Sequence, residues 1–85
     1  MKHAGATALD RLEPFLNTLR TRSGLKEKSR GTFYRHGRAF LHFHEEGGAL
    51  YADARFDEGF ERFPVTTVAE RAALLLRIDA VLGRI

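Results

Sequence analysis

The stretch 31-GTFYRHGRAFLHFHEEGGALYADARF-56 decides the architecture. Its apolar residues recur at every second position, the period of half-buried strands, whereas both flanks run at helical spacing. Two turn signals divide it, His36-Gly37-Arg38 and Glu46-Gly47-Gly48-Ala49. A Gly-Gly pair suits a tight hairpin turn whose two central residues both need positive φ. That turn predicts a register: Glu46 opposite Ala49, His44 opposite Tyr51, Phe43 opposite Ala52, His42 opposite Asp53, Leu41 opposite Ala54 and Phe40 opposite Arg55. The residues then sort by face. Ala39, Leu41, Phe43, Leu50, Ala52, Ala54 and Phe56 fall on one side, and Phe40, His42, His44, Tyr51, Asp53 and Arg55 on the other. A slip of one residue would mix the two sets, so the register is specified by burial as well as by the turn.

Outward from this hairpin, Asp57-Glu58-Gly59 reads as a three-residue turn with glycine in the left-handed place, and FERFPV as a fourth short strand ending at Pro64. Thr67-Val-Ala-Glu70 is a capping-box pattern that opens a last helix over about 67–83. Its apolar positions (Val68, Ala72, Leu75, Leu76, Ile78, Val81, Leu82, Ile85) cover more than one stripe, and Glu70, Arg77 and Arg84 mark its wet side. On the N-terminal side, Leu9, Leu12, Phe15, Leu16 and Leu19 form an amphipathic helical stripe over about 7–22, capped by Thr7 or Asp10 and closed by Gly24. Pro14 lacks an N–H and should disturb this helix. GLKEKSRG reads as a polar connecting loop. The expected fold is α+β in the order α-β-β-β-(β)-α. A single domain over residues 1–85 forms two layers, an antiparallel meander of three to four strands with the N- and C-terminal helices packed on one face.

Composition bounds what such a domain can do. At 85 residues with 44% hydrophobic content the chain is a folded domain near the lower size for a self-sufficient core. There is no cysteine, which excludes disulfides, thiolate ligands and thiol nucleophiles. The N-terminal stretch has no apolar core of a leader and no run suits a membrane span, so the reading is a cytoplasmic protein without a membrane partner. Eleven arginines against three lysines suggest a bacterial coding sequence. Residues 1–44 carry nine Lys/Arg against three acids, whereas residues 45–85 carry five against eight. The basic excess is densest at residues 20–38, where Arg22, Lys26, Lys28, Arg30 and Arg35 could meet phosphates of a nucleic acid.

Helices on one face leave the other open, and its content is the functional question. His42 and His44, two apart on a strand, project the same way with Cβ atoms roughly 6–7 Å apart, close enough to chelate one ion. Asp53, opposite His42, would complete a two-histidine, one-carboxylate set suited to Zn²⁺ or non-haem Fe²⁺, with His36 or Glu46 as a further donor. The plainer alternative is a set of cross-strand pairs: His42–Asp53 hydrogen-bonded, His44–Tyr51 aromatic and Phe40–Arg55 cation–π. No nucleophile motif or phosphate-binding glycine loop is present, so no catalytic residue and no cofactor are assigned, and the alternative of a metal-binding protein or enzyme rests on His42, His44 and Asp53, with His42/Asp53 as its acid–base dyad. Amphipathic and aromatic side chains on the open face (Phe40, Tyr51, Arg55 and Phe33) are also those enriched in interfaces. The leading expectation is therefore a non-catalytic homodimeric interaction module that pairs through this face or through the last helix.

The glycine-aromatic strand, the G-R-x-F-L-H-F-H strand at residues 37–44 and the closing Thr-x-x-Glu-Arg helix at residues 67–71 resemble those of a family of small bacterial α+β proteins over residues 24–82. More loosely, the chain is similar to the luciferase-like small-domain group, which has no assigned activity. The resemblance implies the fold class and carries no functional residue.

Overall fold

The computed structural model describes residues 1–83; Arg84 and Ile85, assigned above to the wet and apolar sides of the last helix, lie outside the described residues. The element order is β1 (Lys2–His3), α1 (Ala6–Arg20), β2 (Lys26–Ser29), β3 (Thr32–Arg35), β4 (Arg38–Glu46), β5 (Ala49–Ala54), β6 (Glu61–Pro64) and α2 (Val68–Leu82). All pairings are antiparallel, and the strands run β2-β3-β4-β5-β6 across an open sheet, with β1 added to β4. β5 occupies one edge of β4 from Leu41 to Glu46. On the other edge β3 pairs with the first half of β4, and β1 takes the end, Lys2 opposite Glu45 and His3 opposite His44. The α+β fold is as expected, with six strands rather than three to four.

The central hairpin follows the register set by its glycine pair: Glu46 faces Ala49, His44 faces Tyr51, Phe43 faces Ala52, His42 faces Asp53 and Leu41 faces Ala54. Gly47 and Gly48 have φ of 56° and 85°, the positive values that a two-residue turn of matching twist demands. Leu41, Phe43, Leu50, Ala52 and Ala54 form the floor of the core, closed from above by Leu12, Phe15, Leu16 and Leu19 of α1 and Leu74 and Ile78 of α2. Phe15 meets Phe43 edge to face at 6.2 Å, which fixes α1 over β4.

Phe40 departs from the alternation. Tyr34 pairs with Ala39 and Phe33 with Leu41, so Phe40 is the extra residue of a bulge and has no partner on β3. The bulge turns its ring into the core, where it is 3% exposed and packs edge-on against Phe56 at 5.8 Å. Phe40 is thus withdrawn from the open face, as is Phe33, which is fully buried opposite Leu41. Neither aromatic is available for the interface surface expected of them.

Other boundaries also shift. The polar segment expected to be a loop contributes β2, an outer strand whose Lys26 and Lys28 guard an otherwise open sheet edge. α1 is capped by Gly5 and Thr21 rather than by Thr7 or Asp10 and Gly24, and it runs through Pro14 without interruption, forgoing one backbone hydrogen bond. Glu45 Oε2 accepts from Gly5 N at 2.7 Å, placing a carboxylate at the electropositive start of α1 and tying that helix to β4. β5 and β6 are joined by residues 55–60, a wider connection than a three-residue turn, and Gly59 does not take positive φ. α2 opens with the expected capping box: Glu70 N donates to Thr67 Oγ1 and Thr67 N to Glu70 Oε1. Among the described residues no helix is long and apolar enough to cross a membrane.

Candidate metal centre

Cross-strand partners share a face, so pairing His3 with His44 puts a third imidazole beside the His42-x-His44 pair. One donor nitrogen from each of His3, His42 and His44 can be chosen so that all lie within 4.8 Å of one another. His42 Nδ1 and His44 Nε2 are 3.1 Å apart. Two ligand nitrogens on a tetrahedral zinc with bonds of about 2.0–2.1 Å stand about 3.3 Å apart, so this pair is already at chelating distance. The His3 ring stacks on His44 with centroids 4.6 Å apart, which keeps its donor within the group.

Asp53 is brought to the cluster but does not join the donor set. Its Oδ2 lies 3.1 Å from His44 Nε2, and both carboxylate oxygens are held by the Arg62 guanidinium, Nε at 2.8 Å and an Nη at 2.9 Å. The sequence-derived triad of His42, His44 and Asp53 therefore resolves into three histidines, with the carboxylate beside the Nε2 atom of one of them. The Arg62 hydrogen bonds, ahead of the opposing cost of burial, keep Asp53 below the ordinary carboxylate range. Burial first, and the adjacent His44 second, push His42 below its usual value of 6.5, which favours the neutral, metal-ready imidazole.

His44 Nδ1 is buried with no hydrogen-bond partner among the described residues. Whichever nitrogen of that ring carries the proton, one polar atom goes unsatisfied, a cost of about 1–3 kcal/mol. Hydrogen bonding within the chain thus accounts for Nε2 of this ring, which faces His42 and Asp53, and leaves Nδ1 unanswered.

The remaining open-face residues form a rim. Phe60, from the 55–60 connection, meets His42 edge-on at 4.9 Å, and the Arg55 guanidinium lies over Phe60 at 4.6 Å from its centroid. Arg55 thus stacks on Phe60 instead of Phe40, because the bulge removes Phe40. It also donates twice to the Ala39 carbonyl, at 2.9 and 2.7 Å. Tyr51 keeps its register opposite His44, but the ring partner of His44 is His3. His36 belongs to the tight turn between β3 and β4 and lies outside the histidine cluster, as does Glu46.

The basic segment does not present one continuous patch. Arg20 bonds Glu13 and Glu27, Arg30 bonds Asp10 and Glu13, and Arg22 forms a two-point pair with Asp79. Lys28 lies over the Tyr34 ring at 4.4 Å. Arg22 and Arg30, two of the five candidates for phosphate contact read from the sequence, are thus spent on carboxylates within the fold.

His3 is the functional residue that sequence reasoning missed. A two-residue strand carries no periodicity, and the available signals were weak: Lys2 opposite acidic Glu45, and a histidine short of donors on a strand with a free edge. Compared with protein-family models, curated proteins and solved structures, the chain matches none of them.

Proposed function

We infer that this domain binds a transition-metal ion, Zn²⁺ foremost, through His3, His42 and His44. The supporting observation is the convergence of three imidazole nitrogens within 4.8 Å on a rigid sheet. An all-imidazole donor set favours zinc, copper or nickel over magnesium and calcium, which require oxygen ligands. The Arg62 charge beside Asp53 works in the same direction, since it penalises ions held mainly by charge. Three protein ligands leave a fourth position for water or a small ligand, the ligand count of catalytic rather than closed structural zinc sites. The test is metal analysis after equilibrium dialysis. One zinc per chain should be retained by the parent and none by His42→Ala; equal retention by both would refute the assignment.

A second reading, self-association into a homodimer, is supported by α2 rather than by the sheet. Val68 and Leu76 are 77% and 67% exposed, and Ala72 between them is also exposed, an apolar ridge along one side of the helix. A second copy of so small a domain would cover it. Light scattering across a hundredfold concentration range tests this reading, and Leu76→Glu should leave only monomer. A parent that is monomeric throughout would exclude it.

A further inference from the structure

At the end of the sheet away from β1, the β3–β4 turn and the start of the 55–60 connection enclose a cleft of about 170 Å³ lined by Arg35, His36, Arg38, Arg55, Phe56 and Asp57, among others. Arg20, Arg22, Arg30, Arg62 and Arg77 each reach a carboxylate, whereas among the described residues Arg11, Arg35, Arg38, Arg55 and Arg71 form no ion pair, and three of these five line this one cleft. Three unneutralised guanidiniums therefore gather around one opening. Arg35 and Arg38 are moreover direct cross-strand partners, an arrangement of like charges that destabilises a hairpin unless something answers it. The tight turn enforces it: with His36 and Gly37 at φ of 53° and 76°, the residues on either side of the pair must face each other.

Two of these guanidiniums are also held in place. Arg55 is fixed by its two bonds to the Ala39 carbonyl and by stacking on Phe60, which leaves its remaining N–H groups to point elsewhere. Arg35 is held by a 3.3 Å bond to the Val81 carbonyl near the end of α2. Arg38 is exposed and can close on a ligand from the turn. Fixed planar forks match the paired oxygens of a phosphate, and holding them in advance lowers the entropy cost of binding.

We propose that this cleft binds the phosphate group of a small phosphate monoester. A phosphate dianion brings three terminal oxygens and a double charge to three guanidiniums, against the two oxygens and single charge of a carboxylate. The cleft is smaller than the roughly 300 Å³ at which drug-sized sites begin, so it takes the phosphate and a few attached atoms. Asp57 is the one acidic group in the lining. It accepts from a ligand hydroxyl and disfavours the extended polyanion of a nucleic acid.

The experiment is a titration of metal-free protein, followed by backbone and arginine side-chain NMR at constant ionic strength, with inorganic phosphate, glycerol 3-phosphate and acetate in separate arms. Saturable one-to-one shifts are expected at Gly37, Arg38, Arg55 and Asp57. Glycerol 3-phosphate should bind more tightly than inorganic phosphate, and acetate should not saturate. Arg38→Ala, at an exposed turn position, should weaken glycerol 3-phosphate at least tenfold with unchanged thermal melting. Lys26→Ala, remote on β2, should leave it unaltered. Shifts that do not saturate, equal binding of acetate, or equal weakening by both substitutions would overturn the proposal.

Discussion

Substituting His3 separates metal binding from folding, because its side chain is an exposed member of the histidine group and no core residue leans on it. With zinc at a hundred times the dissociation constant, binding to the folded state alone adds about 2.7 kcal/mol of stability. In a domain of this length each kcal/mol moves the melting temperature by about 4–8 °C, so the parent should gain about 10–20 °C on adding zinc. Removing a ligand costs at least the ten- to hundredfold that follows loss of an outer-shell partner. After a hundredfold loss the same zinc concentration merely equals the dissociation constant, and the gain shrinks to about 0.4 kcal/mol, roughly 2–3 °C. Without metal, His3→Ala should melt within a few degrees of the parent, since it forfeits only the contacts of an exposed ring with His44 and His42. Differential scanning fluorimetry with and without zinc reads all four values. If His3→Ala gains as much as the parent, the ion does not sit among these histidines and the argument fails.

The lowered His42 value makes metal-free stability fall on the acid side. The folded state binds fewer protons there than the unfolded state, so stability is full above the ordinary 6.5 and declines as pH drops from 6.5 through the lowered value. Urea midpoints measured at pH 7.5 and 5.0 should differ less in His42→Asn than in the parent; identical profiles would contradict the assignment. Asp53 is also lowered, so its contribution persists above 3.8 and is lost only as pH falls through its own folded value, a second and more acidic decline. Arg62→Gln frees the Asp53 carboxylate to approach the cluster and removes a nearby positive charge, so zinc should bind more tightly by titration calorimetry; weaker binding would mean that Arg62 positions the site. Phe40→Ala should cost about 3–5 kcal/mol in chemical denaturation, the penalty for emptying an aromatic site in a core, and a cost under 1 kcal/mol would place Phe40 at the surface. Thr67→Ala removes the α2 cap and should cost about 1 kcal/mol by the same assay.

The central hairpin, both helices and the division of β4 and β5 into two faces were legible from sequence, because each rests on local periodicity or on a turn pair with few alternatives. The glycine pair at 47–48 fixes a register, and the register alone carries His42 opposite Asp53 and His44 opposite Tyr51. The pairing of elements distant in sequence was not legible. β1 exists because β4 is longer than β3 and leaves part of its edge unpaired, and because Ala4 N reaches the Phe43 carbonyl at 3.0 Å just beyond it. Two residues of strand have no period of their own, so His3 could not be placed beside His44 by any local rule.

The sequence by itself determined the alternation that puts His42 and His44 on the opposite side of the sheet from Phe43, since a strand has only two faces and one of them must be buried. Tertiary structure decided which side chains meet on that outer face. Asp53 goes to Arg62 because a guanidinium fork satisfies both carboxylate oxygens at once, which no neutral imidazole can do. Phe40 leaves the face because a one-residue bulge reverses its direction, and His3 arrives because an open strand edge accepts any short segment able to supply backbone hydrogen bonds. Periodicity reports which way a residue points relative to its own neighbours. The composition of a site assembled from separate strands is set by backbone pairing across the sheet, and that is a property of the folded chain.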